Sequence, residues 1–122
     1  MELKGIDKNT SIVTETTGDK NSPTEYRFDL IPPLALFSIA ENLMKGAKKY
    51  GEHNWEKAGA EGIEKNINKA TIHLYAFLSG DRSDDHLCHA ATRLMFALKF
   101  FIDEEAKEVK NEMCNNNPDS CT

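Results

Sequence analysis

Three of the four histidines in this chain are spaced to meet: His73 near the end of one expected helix, then His86 and His89 opening the next, beside Asp84 and Asp85. The connection between them, Ser79-Gly80-Asp81-Arg82-Ser83, carries Gly and Ser breakers and predicts a hairpin. Each helical residue rises about 1.5 Å, so folding back at Asp81 brings His73 to the height of residues near His89. His86 and His89 are three apart and share a helix face. Imidazoles and carboxylates gathered in this way can ligate a divalent metal, act as general acid or base, or bind phosphate oxygens through a protonated histidine. The residue types leave all three open. The bland alternative is a core histidine satisfied by hydrogen bonds, with the two acids favouring the positive end of a helix dipole.

The elements that must position this cluster are helical. Pro32-Pro33 fits a helix start, apolar residues recur at Leu36, Ile39, Ala40, Leu43, Ala47 and Tyr50, and Gly51 provides a stop. After a loop from Gly51 to Glu61, a second stripe runs through Ile63, Ile67, Ala70, Leu74 and Phe77. The third helix is the longest expected element, with Ser83 as N-cap, Asp84 and Asp85 in its first turn, and a pattern continuing to roughly Val109. The expected fold is therefore all-α, a small bundle of about three main helices. Residues 1–24 are polar and read as a loop or short extended N-terminal arm, residues 25–110 as the helical domain, and residues 111–122 as a disordered tail.

The third helix is loaded on two faces. Leu87, Ala91, Leu94, Leu98, Phe101 and Ile102 form the expected core stripe, while His86, His89, Arg93, Phe96 and Phe100 gather on roughly the opposite side. A helix apolar on both sides needs cover on both. Three helices can hardly supply it, so the His/Arg/Phe face is predicted to meet a second subunit, making a homo-oligomer of two or more copies. The competing expectation is that the N-terminal arm folds over that face.

Polar blocks elsewhere suggest a ligand. Arg27, Lys48, Lys49 and Arg93 can meet phosphates, although lysines closing a helix also suit its dipole. Trp55 is the single tryptophan and sits in a polar loop. It either plugs the bundle end, the favoured expectation, or stacks on a flat ligand such as a nucleobase, with Asn54 able to read base edges.

Composition excludes several classes. With 122 residues the chain has length for one domain. A formal charge of -5 argues against general nucleic-acid binding, which needs clustered Lys and Arg. No apolar run approaches the roughly 18–20 residues of a membrane span, and the N-terminus lacks a signal peptide's apolar region, so no membrane partner is expected and the location is expected to be cytoplasmic. Cys88, Cys114 and Cys121 form no CxxC pair, so the spacing supports neither a disulfide scaffold nor a structural zinc site, and Cys88 reads as core packing.

Three ordered blocks carry a resemblance. Arg27-Phe-Asp-Leu-Ile-Pro-Pro-Leu-Ala-Leu36, Gly46-Ala-Lys-Lys-Tyr-Gly-Glu-His-Asn-Trp-Glu-Lys57 and Gly80-Asp-Arg-Ser-Asp-Asp-His-Leu-Cys-His-Ala90 resemble a family of small, mostly bacteriophage dATP/dGTP diphosphohydrolase domains. The likeness spans about residues 26–102. Its pattern carries onto Arg27, Asp29, Pro32, Pro33, Gly46, Lys49, Tyr50, Asn54 and Trp55, and onto His73, Leu74, Asp85, His86, Leu87 and His89. Two departures stand out. The family usually has Arg where this chain has Ile72, and commonly Trp-Asn where it has Thr92-Arg93, so the gained Arg93 either offsets the lost one or marks a changed ligand. A separate, weaker likeness links Glu61, Glu64, Asp81 and Asp84 to the paired acidic motifs of all-α, MazG-like nucleotide pyrophosphohydrolases.

The resemblance implies an enzyme that converts a purine dNTP to the monophosphate and pyrophosphate, in host cytoplasm if the chain is phage-encoded. It implies a divalent metal, Mg2+ by expectation, held among Asp84, Asp85, His86 and His89, with His73, Asp85, His86 and His89 as the catalytic set. Arg27, Lys48, Lys49 and Arg93 would then take phosphates, and Tyr50, Asn54 and Trp55 would line the nucleotide site. The alternative is a non-catalytic phage protein that sequesters a nucleotide or nucleotide-derived immune signal, a reading that sparse carboxylates favour.

Overall fold

A computed structural model of the chain describes residues 25–117. The described residues contain helices α1 (Pro33–Tyr50), α2 (Gly62–Leu78) and α3 (His86–Asn116), with 3-10 segments at Phe28–Leu30 and Asn54–Glu61 and no strand. The expected all-α class holds. The expected arm at 1–24 lies outside the described residues.

Two compact units divide at Pro33, Met1–Pro33 and Leu34–Thr122. In the first, the Arg27 guanidinium grips Asp29 through two hydrogen bonds of 2.8 and 2.7 Å. All three long helices belong to the second, apart from the opening Pro33 of α1. Gly51, at a φ of 95°, ends α1 as its type and position predict, because only glycine takes that left-handed conformation without strain.

Helix α2 lies where the sequence places it, whereas α3 departs from expectation at both ends. Asp85, not Ser83, occupies the N-cap position of α3, and no side chain caps the helix. Ser83, Asp84 and Asp85 therefore lie in the connection, because Asp81 draws the Ser83 N–H into a local turn at 2.9 Å. At its other end α3 continues through Asn111–Asn116, residues whose polarity had assigned them to the tail.

The buried face of α3 inverts the expected one, and that of α2 is rotated from it, keeping Ala70 and Phe77. On α2 the buried residues are Gly62, Asn66 and Ala70, continued by the half-buried His73 and Phe77, whereas Ile67 and Leu74 are exposed. On α3 the buried set is His86, Cys88, Ala90, Thr92, Phe96, Ala97 and Phe100, and Leu87, Leu94, Leu98 and Phe101 are open. The His/Phe face is thus covered by the chain's own α2 and by Asn54–Glu61, which corrects the expectation that a second subunit covers it.

Size and polarity explain the inversion. Gly62, Ala70, Ala90 and Ala97 let α2 and α3 approach closely, and the rings of Phe96 and Phe100 fill the space that remains. At Gly62 an added Cβ would run into the Phe100 ring. Burying each phenyl ring contributes about 1.5–3 kcal/mol. Trp55 stacks on Phe96 at 4.5 Å with planes 7° apart and meets Phe100 edge-on at 5.7 Å, so it does plug the end of the helix pair.

Helix α1 is held differently. None of its residues is buried. Its described links to α3 are hydrogen bonds from Asn42 Nδ2 to Thr92 Oγ1 at 3.1 Å and from Cys88 Sγ to the Ser38 carbonyl at 3.2 Å. No helix among the described residues is long and apolar enough to cross a membrane.

Candidate functional site

The turn between α2 and α3 is built to hold one carboxylate. Gly80 takes a φ of 97°, and the N–H groups of Gly80 and Asp81 bond the Phe77 and Ala76 carbonyls at 3.0 and 3.1 Å. Arg82 lies over the Phe77 ring and donates to the Phe77 carbonyl at 2.8 Å. Asp81 is thereby fixed under the start of α3, where its Oδ2 lies 2.9 Å from His86 Nε2. The Ser83 N–H first, and His86 next, hold the Asp81 carboxyl well below the usual carboxylate range.

The hairpin brings the histidines together as the spacing predicts. His73 Nδ1 lies 2.9 Å from His86 Nδ1, and the His73 and His89 rings meet edge-on with centroids 5.0 Å apart. His89 Nε2 is 3.7 Å from Asp84 Oδ1, and that same oxygen accepts the Asp85 N–H at 2.8 Å. One ligand atom from each of His73, Asp84 and His89 falls within 4.8 Å of the others. Burial first, then the neighbouring His89 and His86, lower the His73 pKa and favour its neutral, ligating form.

This donor set differs from the expected metal set. His86 is buried and spends both ring nitrogens on His73 and Asp81, so it offers no lone pair to a metal or a substrate. Asp85 is exposed and stands outside the converging group, and His73 takes its place. No metal-competent group among the described residues includes Glu61 or Glu64, because Glu61 pairs instead with Lys65 at 3.1 Å. The acidic quartet therefore does not assemble.

Asp84 and His89 also line a cleft of about 1120 Å³, with Asp85, Arg93 and Phe96 on the α3 side and Lys49 and Tyr50 on the α1 side. Asn54 and Trp55 line it too, so most of the expected nucleotide-contacting residues border a single cavity. Lys48 is not among its lining residues, and Arg27 belongs to the other compact unit. Cys88 lines the cleft as well, and burial pushes its thiol pKa up, so it stays protonated.

The cavity's charges are unevenly paired. Lys45 is neutralised by Glu41 at 3.1 Å. Lys49, Lys69 and Arg93 have no carboxylate partner among the described residues: Lys49 rests over the Tyr50 ring, and Arg93 donates to Asn66 Oδ1 at 3.2 Å. Unneutralised cations on a concave wall attract anions, phosphates among them.

Sequence reasoning missed Asn66, Asn42 and Lys69, and named Asp81 only as the point of the hairpin and as a member of the acidic quartet. Asn66 carried a signal, since asparagine is a poor helix former and here sits at mid-helix, its amide donating to the Gly62 carbonyl at 2.7 Å while its oxygen receives Arg93. Nothing in the sequence signalled the contact of Asp81 with His86. A family model described as dATP/dGTP diphosphohydrolase, N-terminal, matches residues 15–110 of the chain. No curated protein and no solved structure matches it.

Proposed function

The chain belongs to the dATP/dGTP diphosphohydrolase N-terminal family, and from that premise we propose that it binds a purine deoxynucleoside triphosphate and hydrolyses it to the monophosphate and pyrophosphate. One observation carries this reading. The converging donors Asp84 and His89 border the same cleft as Lys49, Lys69 and Arg93, which no carboxylate of the described residues neutralises, and as the indole of Trp55. Chemistry-bearing groups, phosphate-seeking cations and an aromatic surface thus meet in one cavity large enough for a nucleotide, slightly above the usual size range of ligand pockets.

In this reading Lys49, Lys69 and Arg93 bind the triphosphate oxygens, Tyr50 and Asn54 border the sugar and base, and the edge of Trp55 offers apolar contact. His73, Asp84 and His89 hold a divalent metal, which when bound supplies Lewis-acid polarisation of a phosphoryl oxygen and a more acidic water. Two imidazoles and one carboxylate suit a borderline ion such as Mn2+, Co2+ or Zn2+ better than Mg2+, which prefers oxygen ligands and sheds its waters reluctantly.

Incubation of the purified chain with each dNTP and with Mg2+, Mn2+ or Co2+ in turn, followed by ion-exchange separation of products, tests the proposal. Monophosphate and pyrophosphate from a purine dNTP are expected. No turnover of any nucleotide removes the enzymatic claim. The single carboxylate in the donor set favours a second reading, in which the cleft sequesters a nucleotide without cleaving it; calorimetry followed by recovery of unchanged ligand would support that reading instead.

Assembly with a second copy is part of the proposal. The buried apolar residues are Ala70, Cys88, Ala90, Phe96, Ala97 and Phe100, a small core for a chain of this length. Meanwhile Leu87, Leu94, Leu98 and Phe101 line an open stripe on α3. Two identical stripes related by a two-fold axis match one another without any further partner, the commonest route to a homodimer.

A further inference from the structure

We infer that Asp81 and His86 are positioning residues that lock His73 in the tautomer protonated on Nδ1, leaving its Nε2 as the lone-pair donor of the site. The inference follows from two distances and proton counting. Asp81 Oδ2 and His86 Nε2 are 2.9 Å apart, and an ionised carboxylate can only accept, so the proton of a neutral His86 sits on Nε2. His86 Nδ1 is then a lone pair. His73 Nδ1 lies 2.9 Å from it, and a hydrogen bond there requires the His73 proton on Nδ1. With both rings neutral, no other placement satisfies both contacts.

The surroundings make the lock stiff. Asp81 is tied by its own N–H to Ala76, and its Oδ1 accepts the Ser83 N–H, so the carboxylate cannot turn away without breaking the hairpin. His86 is buried in the first turn of α3, its ring wedged between Asp81 and His73. A carboxylate behind a histidine commonly fixes ring orientation and raises basicity at a metal site. Here a second imidazole is interposed, and the carboxylate acts one ring further from the donor. His89 has no such support: its described polar side-chain contact is with Asp84 at 3.7 Å, too long for a hydrogen bond that would set its tautomer. The two candidate imidazole donors are therefore unlike, one locked and one free.

This inference gives the proposed His73, Asp84 and His89 site its rigid member, and so rests on the same reading, but the tautomer can be read without metal or substrate. The full chain labelled with 15N-histidine, stripped by chelator and held at about pH 8, well above the ordinary histidine pKa of about 6.5, is studied by long-range 1H–15N correlation. His73→Gln assigns the signals. The expected wild-type pattern shows a protonated Nδ1 and a pyridine-like Nε2 for His73, and the opposite for His86. Asp81→Ala should average the His73 signals between tautomers and weaken Co2+ binding by about 10–100-fold in calorimetry.

A wild-type His73 protonated on Nε2 overturns the inference, whatever the Asp81 variant does. So does an Asp81→Ala chain that keeps a single His73 tautomer with undiminished Co2+ affinity, which would reduce Asp81 and His86 to a structural hydrogen-bonded pair. If the wild-type tautomers are as expected but no Co2+ or Mn2+ binds, the metal reading fails while the lock stands.

Discussion

Helix α3 presents one face to α2 and another outward, and the two are apolar in different ways. The inner face combines rings and polar tips, His86, Phe96 and Phe100, with the small Ala90 and Ala97. The outer face is a run of larger residues, Leu87, Leu94, Leu98 and Phe101, with exposures of 45–52%. Polar-tipped side chains can be buried only where partners wait at fixed positions, and a covalently connected hairpin supplies them: Asp81 for His86, Asn66 for Arg93. Leucines ask for nothing directional. They can be left for a surface that arrives from another molecule, and under the proposed function and assembly the chemistry sits inside the chain and the adhesion outside.

The largest test of that contrast is Phe100→Ala. The ring is 5% exposed and meets both Trp55 and the backbone at Gly62, so truncation should cost about 3–5 kcal/mol in chemical denaturation at fixed protein concentration. A loss below about 1 kcal/mol would mean that the inner face is not the core. Gly62→Ala comes next. Its methyl group must displace the Phe100 ring or push α2 away, at about 1–3 kcal/mol, visible as a lowered melting temperature. Paired with Phe100→Ala, the same substitution should be much less damaging, because the obstructing ring is gone.

The outer face calls for a different readout. The double change Leu94→Asp and Leu98→Asp should leave helicity by circular dichroism nearly unchanged while the mass by light scattering falls toward the 13.7 kDa protomer. A wild-type chain that is already a strict monomer at micromolar concentration removes the assembly proposal outright. An oligomer that survives the double change moves the interface to another surface.

The contrast also explains what the sequence revealed. Helical period located all three helices, and Gly51 marked the end of α1, because those signals depend on local backbone preference. The inward face was misread because hydrophobicity scales rank Leu94 above His86 and Ile67 above Asn66, whereas packing here depends on how closely α2 and α3 approach and on which polar atoms find partners. The meeting of His73, His86 and His89 was legible from the hairpin alone. The role of His86 was not, since it turns on Asp81, a residue whose hydrogen bond exists only once Gly80 has turned the chain. Trp55 as a plug was legible from its uniqueness in a polar loop, and its partners Phe96 and Phe100 were not, because they had been assigned to the opposite, intermolecular role.

A third side of α3, toward α1, sets the lower limit of the scale. Asn42→Ala removes the amide that donates to Thr92 Oγ1, yet leaves no stranded group, because that hydroxyl still donates to the Cys88 carbonyl at 2.8 Å. The cost should therefore sit at about 0.5–1.5 kcal/mol, the range of an ordinary hydrogen bond, and well below that of Phe100→Ala. The more telling effect is on the cleft, whose α1 wall carries Lys49 and Tyr50 while its α3 wall carries His89 and Arg93. With one of its two described ties to α3 cut, α1 should exchange its amide protons faster than α2 or the first turns of α3, and nucleotide affinity should fall more than global stability does. Equal acceleration of exchange in all three helices would show that α1 unfolds only together with the α2–α3 pair, and that its hold on the bundle is as firm as the inner face's own.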